Sequence, residues 1–241
     1  MTGITEMLDT LSIGISAGSE RTSDVCPDCG GTGFITWREN GILYGRECRC
    51  EVRRRNHLRI ERSGLKPLLE SCTFERFKTG ESWQAEAKQK AESFAADCRG
   101  KWFFIGGSPG TGKTHLCTAI CGKLMDAGLS CRYVQWRADI PAIKAMIKDP
   151  EEYRAAIWPL KAVRVLYIDD FLKGSITDAD KNIAFDLLGC RYNDPNAITV
   201  ISTELPIDRI LSWDEAIGSR IAERAKDYTL NLRNKQNWRL R

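Results

Sequence analysis

The sequence predicts an α/β fold built on a parallel five-stranded sheet, and three observations predict it. Apolar runs and helical patterns alternate from Lys101 onward, which is how a parallel sheet with crossover helices is written. One apolar run, Trp102-Phe103-Phe104-Ile105, feeds directly into Gly107-Ser108-Pro109-Gly110-Thr111-Gly112-Lys113-Thr114, a complete G-x4-G-K-T phosphate-binding loop. Another, Val165-Leu166-Tyr167-Ile168, closes on the two carboxylates Asp169 and Asp170. The carboxyl ends of parallel strands gather at one edge of such a sheet, so loop and carboxylates are expected to meet there.

Taken in order, residues 1–25 are small and polar around one amphipathic stretch at 4–15, which predicts a short helix or a loosely ordered arm. Residues 26–66 predict a cysteine-bounded unit followed by a basic, helical linker, and 67–241 a nucleotide-binding domain. A helix at 82–98 leads toward the loop. Strands are expected at 102–106, 132–136, 163–169 and 198–203, with 227–232 and 237–240 closing the domain. Helices fill the gaps at 113–127, 140–148, 179–192 and 214–225. Gly128 suits the C-terminal cap of the first of these, and Asp194-Pro195-Asn196 marks the turn before the fourth strand.

The chain has 241 residues, and 42% hydrophobic content is enough for a real core. No apolar stretch approaches the length needed to cross a bilayer, and residues 1–19 lack the basic and apolar segments of a secretory signal. A cytoplasmic protein with no membrane partner is expected. The net charge of +4 is small for this length, but Arg46, Arg49, Arg53, Arg54, Arg55, Arg59, Arg62 and Lys66 cluster against only Glu47, Glu51 and Glu61. Such a run suits a nucleic-acid backbone and equally a solvated helix face.

The glycine-rich loop is expected to aim the backbone N–H groups of residues 107–114 and a helix N-terminus at one polyphosphate, with His115 beside it. Lys113 would reach the β and γ phosphates of ATP, and Thr114 would ligate Mg²⁺. Asp169 would hold the same ion, directly or through water, and Asp170 would position or deprotonate the attacking water. Ser202, Thr203 and Glu204 stand at the tip of the 198–203 strand, where a side chain can touch the γ phosphate or that water. Arg220 and Arg224 share one helix face: either they form surface ion pairs, or in an oligomer they reach a neighbour's γ phosphate as arginine fingers.

Ten cysteines in a chain with an ATP site point to metal rather than disulfides. Cys26-Pro27-Asp28-Cys29 and Cys48-Arg49-Cys50 offer four thiolates, which suits tetrahedral Zn²⁺ in a closed structural site. An iron–sulfur cluster or unpaired thiols are the alternatives, and the second knuckle is Cys-x-Cys rather than Cys-x2-Cys. A unit this small cannot bury enough core to fold alone, so metal would supply much of its folding free energy. Cys72, Cys98, Cys117, Cys121, Cys131 and Cys190 are expected to pack in the core.

The order of these elements, the phosphate loop, Ile168-Asp169-Asp170, Ile201-Ser202-Thr203-Glu204 and Gly218-Ser219-Arg220, resembles the AAA+ ATPases of the DnaC/DnaI helicase-loader and IstB group. The chain looks most like the DnaC-like replication proteins of phages and Gram-positive bacteria. Its tail, Asn237-Trp238-Arg239-Leu240-Arg241, ends as theirs does, without the helical lid of other AAA+ proteins, and the cysteine-rich unit resembles that of the zinc-containing loaders.

The resemblance implies an AAA+ P-loop fold that assembles into an oligomer. It also implies a protein that binds the replicative hexameric helicase through its amino-terminal region and places it on single-stranded DNA under ATP control. Arg220 matches the arginine-finger position and Arg224 a second arginine of the same box. The chain departs from the pattern twice: Glu204, or Thr203, stands where a sensor Asn is common, and Asp170 replaces the usual Glu, which predicts slow hydrolysis. Trp136, Arg137, Lys144, Lys148, Tyr153, Arg154, Trp158 and Lys161 form a candidate DNA contact, with core packing the alternative for the two tryptophans. An IstB-like helper of a transposase and a nucleotide-binding adaptor that scarcely hydrolyses ATP are the competing functions.

Overall fold

The computed structural model describes residues 25–63 and 65–238; the expected 4–15 stretch and the end of the 237–240 strand lie outside them. The cysteine unit is a hairpin of β1 (Phe34–Glu39) and β2 (Ile42–Glu47), antiparallel with Trp37 opposite Tyr44. Asn40 and Gly41 turn it with φ of 50° and 80°, the left-handed pair that matches the twist of two strands. Three helices follow: α1 (Arg49–Ser63), α2 (Lys66–Ser71) and α3 (Ser82–Ala96).

The main sheet comprises β3 (Trp102–Gly107), β4 (Cys131–Gln135), β5 (Val165–Asp169), β6 (Ile198–Thr203) and β7 (Thr229–Leu232). Its order is β4-β5-β6-β3-β7, and every pairing is parallel. The connections are α4 (Lys113–Asp126), α5 (Trp136–Ala145), α6 (Pro150–Ala162), α7 (Asp178–Asn193), α8 (Ile207–Trp213) and α9 (Glu215–Arg224). Side chains alternate across each strand, so both faces are covered. Phe103, Ile105, Tyr167 and Val200 pack with Phe94, Leu116 and Ile120, whereas Trp102, Phe104, Leu166, Ile168 and Ile201 pack with Ile140, Ile157, Leu187 and Ile217.

Helix α4 ends as its sequence demands. Gly128 holds φ at 84°, its N–H donates to Met125 O at 2.8 Å, and the Leu129 N–H donates to Leu124 O at 3.0 Å, which satisfies two terminal carbonyls. Helix α1 is tied to the same region. Asn56 donates to Leu129 O at 2.6 Å and accepts the Cys131 N–H at 3.2 Å, extending the edge of β4, while Arg53 Nε donates to Asp126 O at 3.1 Å. Arg54 pairs with Glu51 and Arg55 with Glu47, so part of the basic run serves contacts within the protein.

Several expected boundaries are corrected. Trp136 opens α5 instead of ending a strand, and it is buried edge-on against Phe171 at 4.8 Å. Helix α6, for which periodicity gave no range, is capped by Asp149, which accepts the Glu151 and Glu152 N–H groups with Pro150 in the first turn. Its C-terminal end takes up Val163, and β5 starts at Val165. A 3-10 turn at Lys226–Tyr228 delays β7, and neither Asn237 nor Trp238 lies in a strand. Helices α2 and α8 were too short to leave a periodic signal. Cys117, Cys121 and Cys131 are buried as expected, but Cys72 and Cys98 are half-buried and Cys190 is exposed.

Candidate nucleotide site and cysteine cluster

The phosphate loop runs from the carboxyl end of central β3 into the N-terminus of α4, where orphan N–H groups gather. Gly112 sits at φ 83°, and a Cβ there would stand 2.7 Å from the Phe77 ring, so only glycine fits between ring and loop. Lys113 is 8% exposed, and its Nζ donates to Gly107 O at 2.9 Å and Ser108 O at 2.8 Å, curled over the loop. Burial lowers its pKa, opposed by the charges of Glu204 and Asp170. His115 turns to the other side of the loop: its Nε2 donates to Thr73 O at 2.7 Å and its ring meets Phe77 edge-on.

At the end of β5, Asp169 is 4% exposed and ringed by hydroxyls. Thr114 donates to it at 3.4 Å, Tyr167 at 2.9 Å and Tyr133 at 3.1 Å, with Ser202 as a fourth donor. A buried carboxylate requires such donors. Its charge raises the pKa of Tyr133 and of Tyr167 in addition to the larger effect of burial. Asp170 follows at φ 52°, a left-handed conformation unusual for a residue with a side chain. Lys173 bridges Asp170 at 3.2 Å and Glu204 at 2.9 Å. Tyr133, Tyr167 and Lys173 escaped the sequence reading. Tyr167 stands two residues before Asp169 on one strand face, and Tyr133 joins it through the β4–β5 register.

Thr203 is fully buried and spends its hydroxyl on Phe171 O at 2.7 Å and the Leu205 N–H at 3.1 Å, while Glu204 faces Lys173. Arg220 lies over Phe185 and Tyr192 at 4.9 and 5.7 Å. Arg224 donates to Gly100 O at 2.8 Å and to Tyr192 O. Gly100 precedes β3, so Arg224 lies a strand length, about 20 Å, from the phosphate loop of its own chain.

The four sulfurs of Cys26, Cys29, Cys48 and Cys50 lie within 4.8 Å of one another, with Cys26–Cys48 at 3.7 Å and Cys29–Cys50 at 3.3 Å. Sulfurs on a tetrahedron of Zn–S bonds stand about 3.8 Å apart, so the donor set and its spacing fit zinc. The Gly33 N–H donates to Cys29 Sγ at 3.3 Å, the kind of outer contact that orients a metal ligand.

Of the candidate DNA contacts, Trp136 is core, Lys144 pairs with Asp180, and Lys161 and Tyr153 both meet Asp186. Arg137, Lys148, Arg154 and Trp158 are exposed. Among the described residues no helix is long and apolar enough to cross a membrane.

Residues 43–227 match the family model of the IstB-like ATP binding protein. The phage-like element PBSX protein XkdC of Bacillus subtilis is 28% identical over 234 residues, 90% of this chain and 85% of that protein. YqaM of the same organism is 30% identical over 217 residues, 82% of this chain but only 65% of YqaM, so the chain spans less than two thirds of that relative. The replicative helicase loader DnaC of Escherichia coli is 34% identical over 104 residues, 42% of each chain. Among solved structures, the DnaC helicase loader superposes with a TM-score of 0.56 at 18% identity, over 67% of this chain and 96% of that one. DnaI superposes at 0.54 and 20% identity, over 71% and 92%. At these identities the structural likeness is one of fold, and the fold is that of the AAA+ P-loop proteins.

Proposed function

The chain belongs to the IstB-like ATP-binding protein family, and from that premise we propose that it is a magnesium-dependent ATPase that loads the replicative DNA helicase onto single-stranded DNA. The observation that carries the ATPase reading is the meeting of Thr114 and Asp169 at 3.4 Å beside the phosphate loop. The alignment with the helicase loader DnaC supports the loading role.

In this reading the loop N–H groups of residues 107–114 hold the triphosphate, and Lys113 leaves the Gly107 and Ser108 carbonyls for the β and γ phosphates. Thr114 and Asp169 hold Mg²⁺, which when bound neutralises phosphate charge. Asp170 orients the lytic water and takes its proton as the water oxygen attacks the γ phosphorus and the bond to ADP breaks. Lys173 must release Asp170 first, which makes the resting site slow. Glu204 meets the lytic water at the tip of β6, since Thr203 is fully buried with its hydroxyl committed to Phe171 O and the Leu205 N–H. Arg220, with Arg224 behind it, completes the site of a neighbouring subunit in an AAA+ oligomer. The cysteine quartet holds structural zinc in a 26–66 unit that contacts the helicase, 67–241 form the ATPase, and the protein acts in the cytoplasm.

Native mass spectrometry of the protein mixed with a replicative helicase ring, with and without ATP and single-stranded DNA, tests the loading role. A complex with the ring that releases loader when ATP and DNA are both present is the expected result. No complex with helicase, and capture of a transposase instead, would move the chain to the transposition-helper reading.

A further inference from the structure

We propose that the C-terminal segment around Trp238 forms one wall of the nucleobase subsite, so that the tail contributes to affinity for the base while the loop alone holds the phosphates. The inference rests on the nucleotide site proposed above. A cavity of about 210 Å³ adjoins the outer side of the phosphate loop, lined among others by Arg76, Phe77, Gln84, Gly112, His115 and Trp238. It lies next to the loop, so a molecule whose phosphates occupy the loop has its remaining portion within reach of this space. Aromatic walls and a few polar groups are what a flat heterocycle requires. Gln84 is 3% exposed and its Oε1 is taken by the Glu81 N–H at 3.0 Å, so the amide NH₂ is the group it offers to ring acceptors of a base.

The tail is fastened there by specific contacts. The Trp238 N–H donates to Gly110 O at 3.0 Å. In a loop whose N–H groups face an anion, a carbonyl pointing out marks the outer surface, so the tail braces the loop without filling the phosphate cradle. Gly110, at φ 73°, is approached so closely that a Cβ would stand 1.8 Å from Asn237 Oδ1. The Trp238 ring also lies against Gly80, Lys235 stands over Trp83 at 5.9 Å, and the Asn234 N–H donates to Ser108 Oγ at 3.2 Å. Loop, preceding segment and tail therefore converge on one cavity.

Titrating wild type, Trp238→Ala and Trp238→Phe with Mg-ATP and with Mg-tripolyphosphate separates base binding from phosphate binding. Trp238→Ala is expected to weaken ATP about tenfold, as loss of one stacking face does, and to leave tripolyphosphate affinity within twofold. Trp238→Phe should recover most of the loss. Unchanged ATP affinity in Trp238→Ala, or equal losses for both ligands, overturns the inference while the nucleotide site stands. Wild-type protein that binds neither ligand overturns the nucleotide site and this inference together.

Discussion

Asp169 and Asp170 are adjacent in sequence and opposite in circumstance. The first is buried beneath four hydroxyls, whereas the second is half-buried and held by one lysine. The motif made both carboxylates legible, and with them Lys113 and Thr114, because the chemistry dictates residue type and spacing together. Their partners were not legible: Tyr133 reaches Asp169 only through strand register, and Lys173 through a turn that no motif describes.

A simpler carboxylate gives a test at this scale. Asp180 accepts the Thr177 N–H at 2.8 Å and the Thr177 hydroxyl at 2.7 Å, and pairs with Lys144 at 2.6 Å. Burial works against its charge, but the lysine and these donors outweigh it and hold its pKa below 3.8. A depressed folded pKa gives stability that is complete above the ordinary value and is lost as pH falls through the folded one. Asp180→Asn should therefore cost about 1–2 kcal/mol at pH 7 and progressively less below pH 3.8, as read by urea unfolding at the two pH values.

Among the elements, helix α7 carries the least expected residue. Arg191 is fully buried and forms no ion pair among the described residues, and burial pulls its pKa down to about 10 against the opposing charge of Asp194. It donates to Thr199 Oγ1 at 3.0 Å and to the carbonyls of Leu160, Lys161, Val163 and Ile198 at 2.7 to 3.1 Å, fastening the end of α6 to the start of β6. Helical periodicity alone places an arginine at the surface, which is why the sequence did not reveal this clasp. Arg191→Met orphans those carbonyls and should cost about 3–5 kcal/mol in denaturant unfolding.

Strands β3 and β5 were legible as continuous apolar runs, since both faces are covered, whereas β4 and β7, at the sheet edges, interleave Arg132, Gln135 and Asn231 with their apolar residues. Helix α6 also had its signal in Asp149-Pro150-Glu151-Glu152, a capped start that periodicity could not supply. The β1–β2 hairpin is different. Phe34, Ile42 and Leu43 are 58%, 58% and 63% exposed, so apolar burial contributes little to holding it. Cys26→Ser should lower bound zinc, measured by elemental analysis, and unfold the hairpin while ATP affinity stays within about twofold. Loss of ATP binding would mean that hairpin and ATPase do not act as separate units.

Over the whole molecule, strand order decides which residues can cooperate. Placing β6 between β3 and β5 brings the phosphate loop and Asp169 to one sheet edge, as parallel strands predict, and Ser202 with them. The same topology leaves Arg224 at the other end of β3, with Arg220 one helical turn away. In the proposed ATPase, arginines so placed reach a phosphate loop only across a subunit boundary. Arg220→Ala should keep ATP affinity and lower steady-state turnover by at least about tenfold, with wild-type turnover rising with protein concentration. Unchanged turnover would remove the oligomeric account.

The most direct measurement is a calorimetric titration of the folded protein with ATP, with and without magnesium, beside Lys113→Ala. One bound nucleotide per chain, tighter with magnesium and lost in Lys113→Ala, is the predicted result. Wild-type protein that is folded and takes up no ATP or ADP with magnesium present would contradict the account at its base.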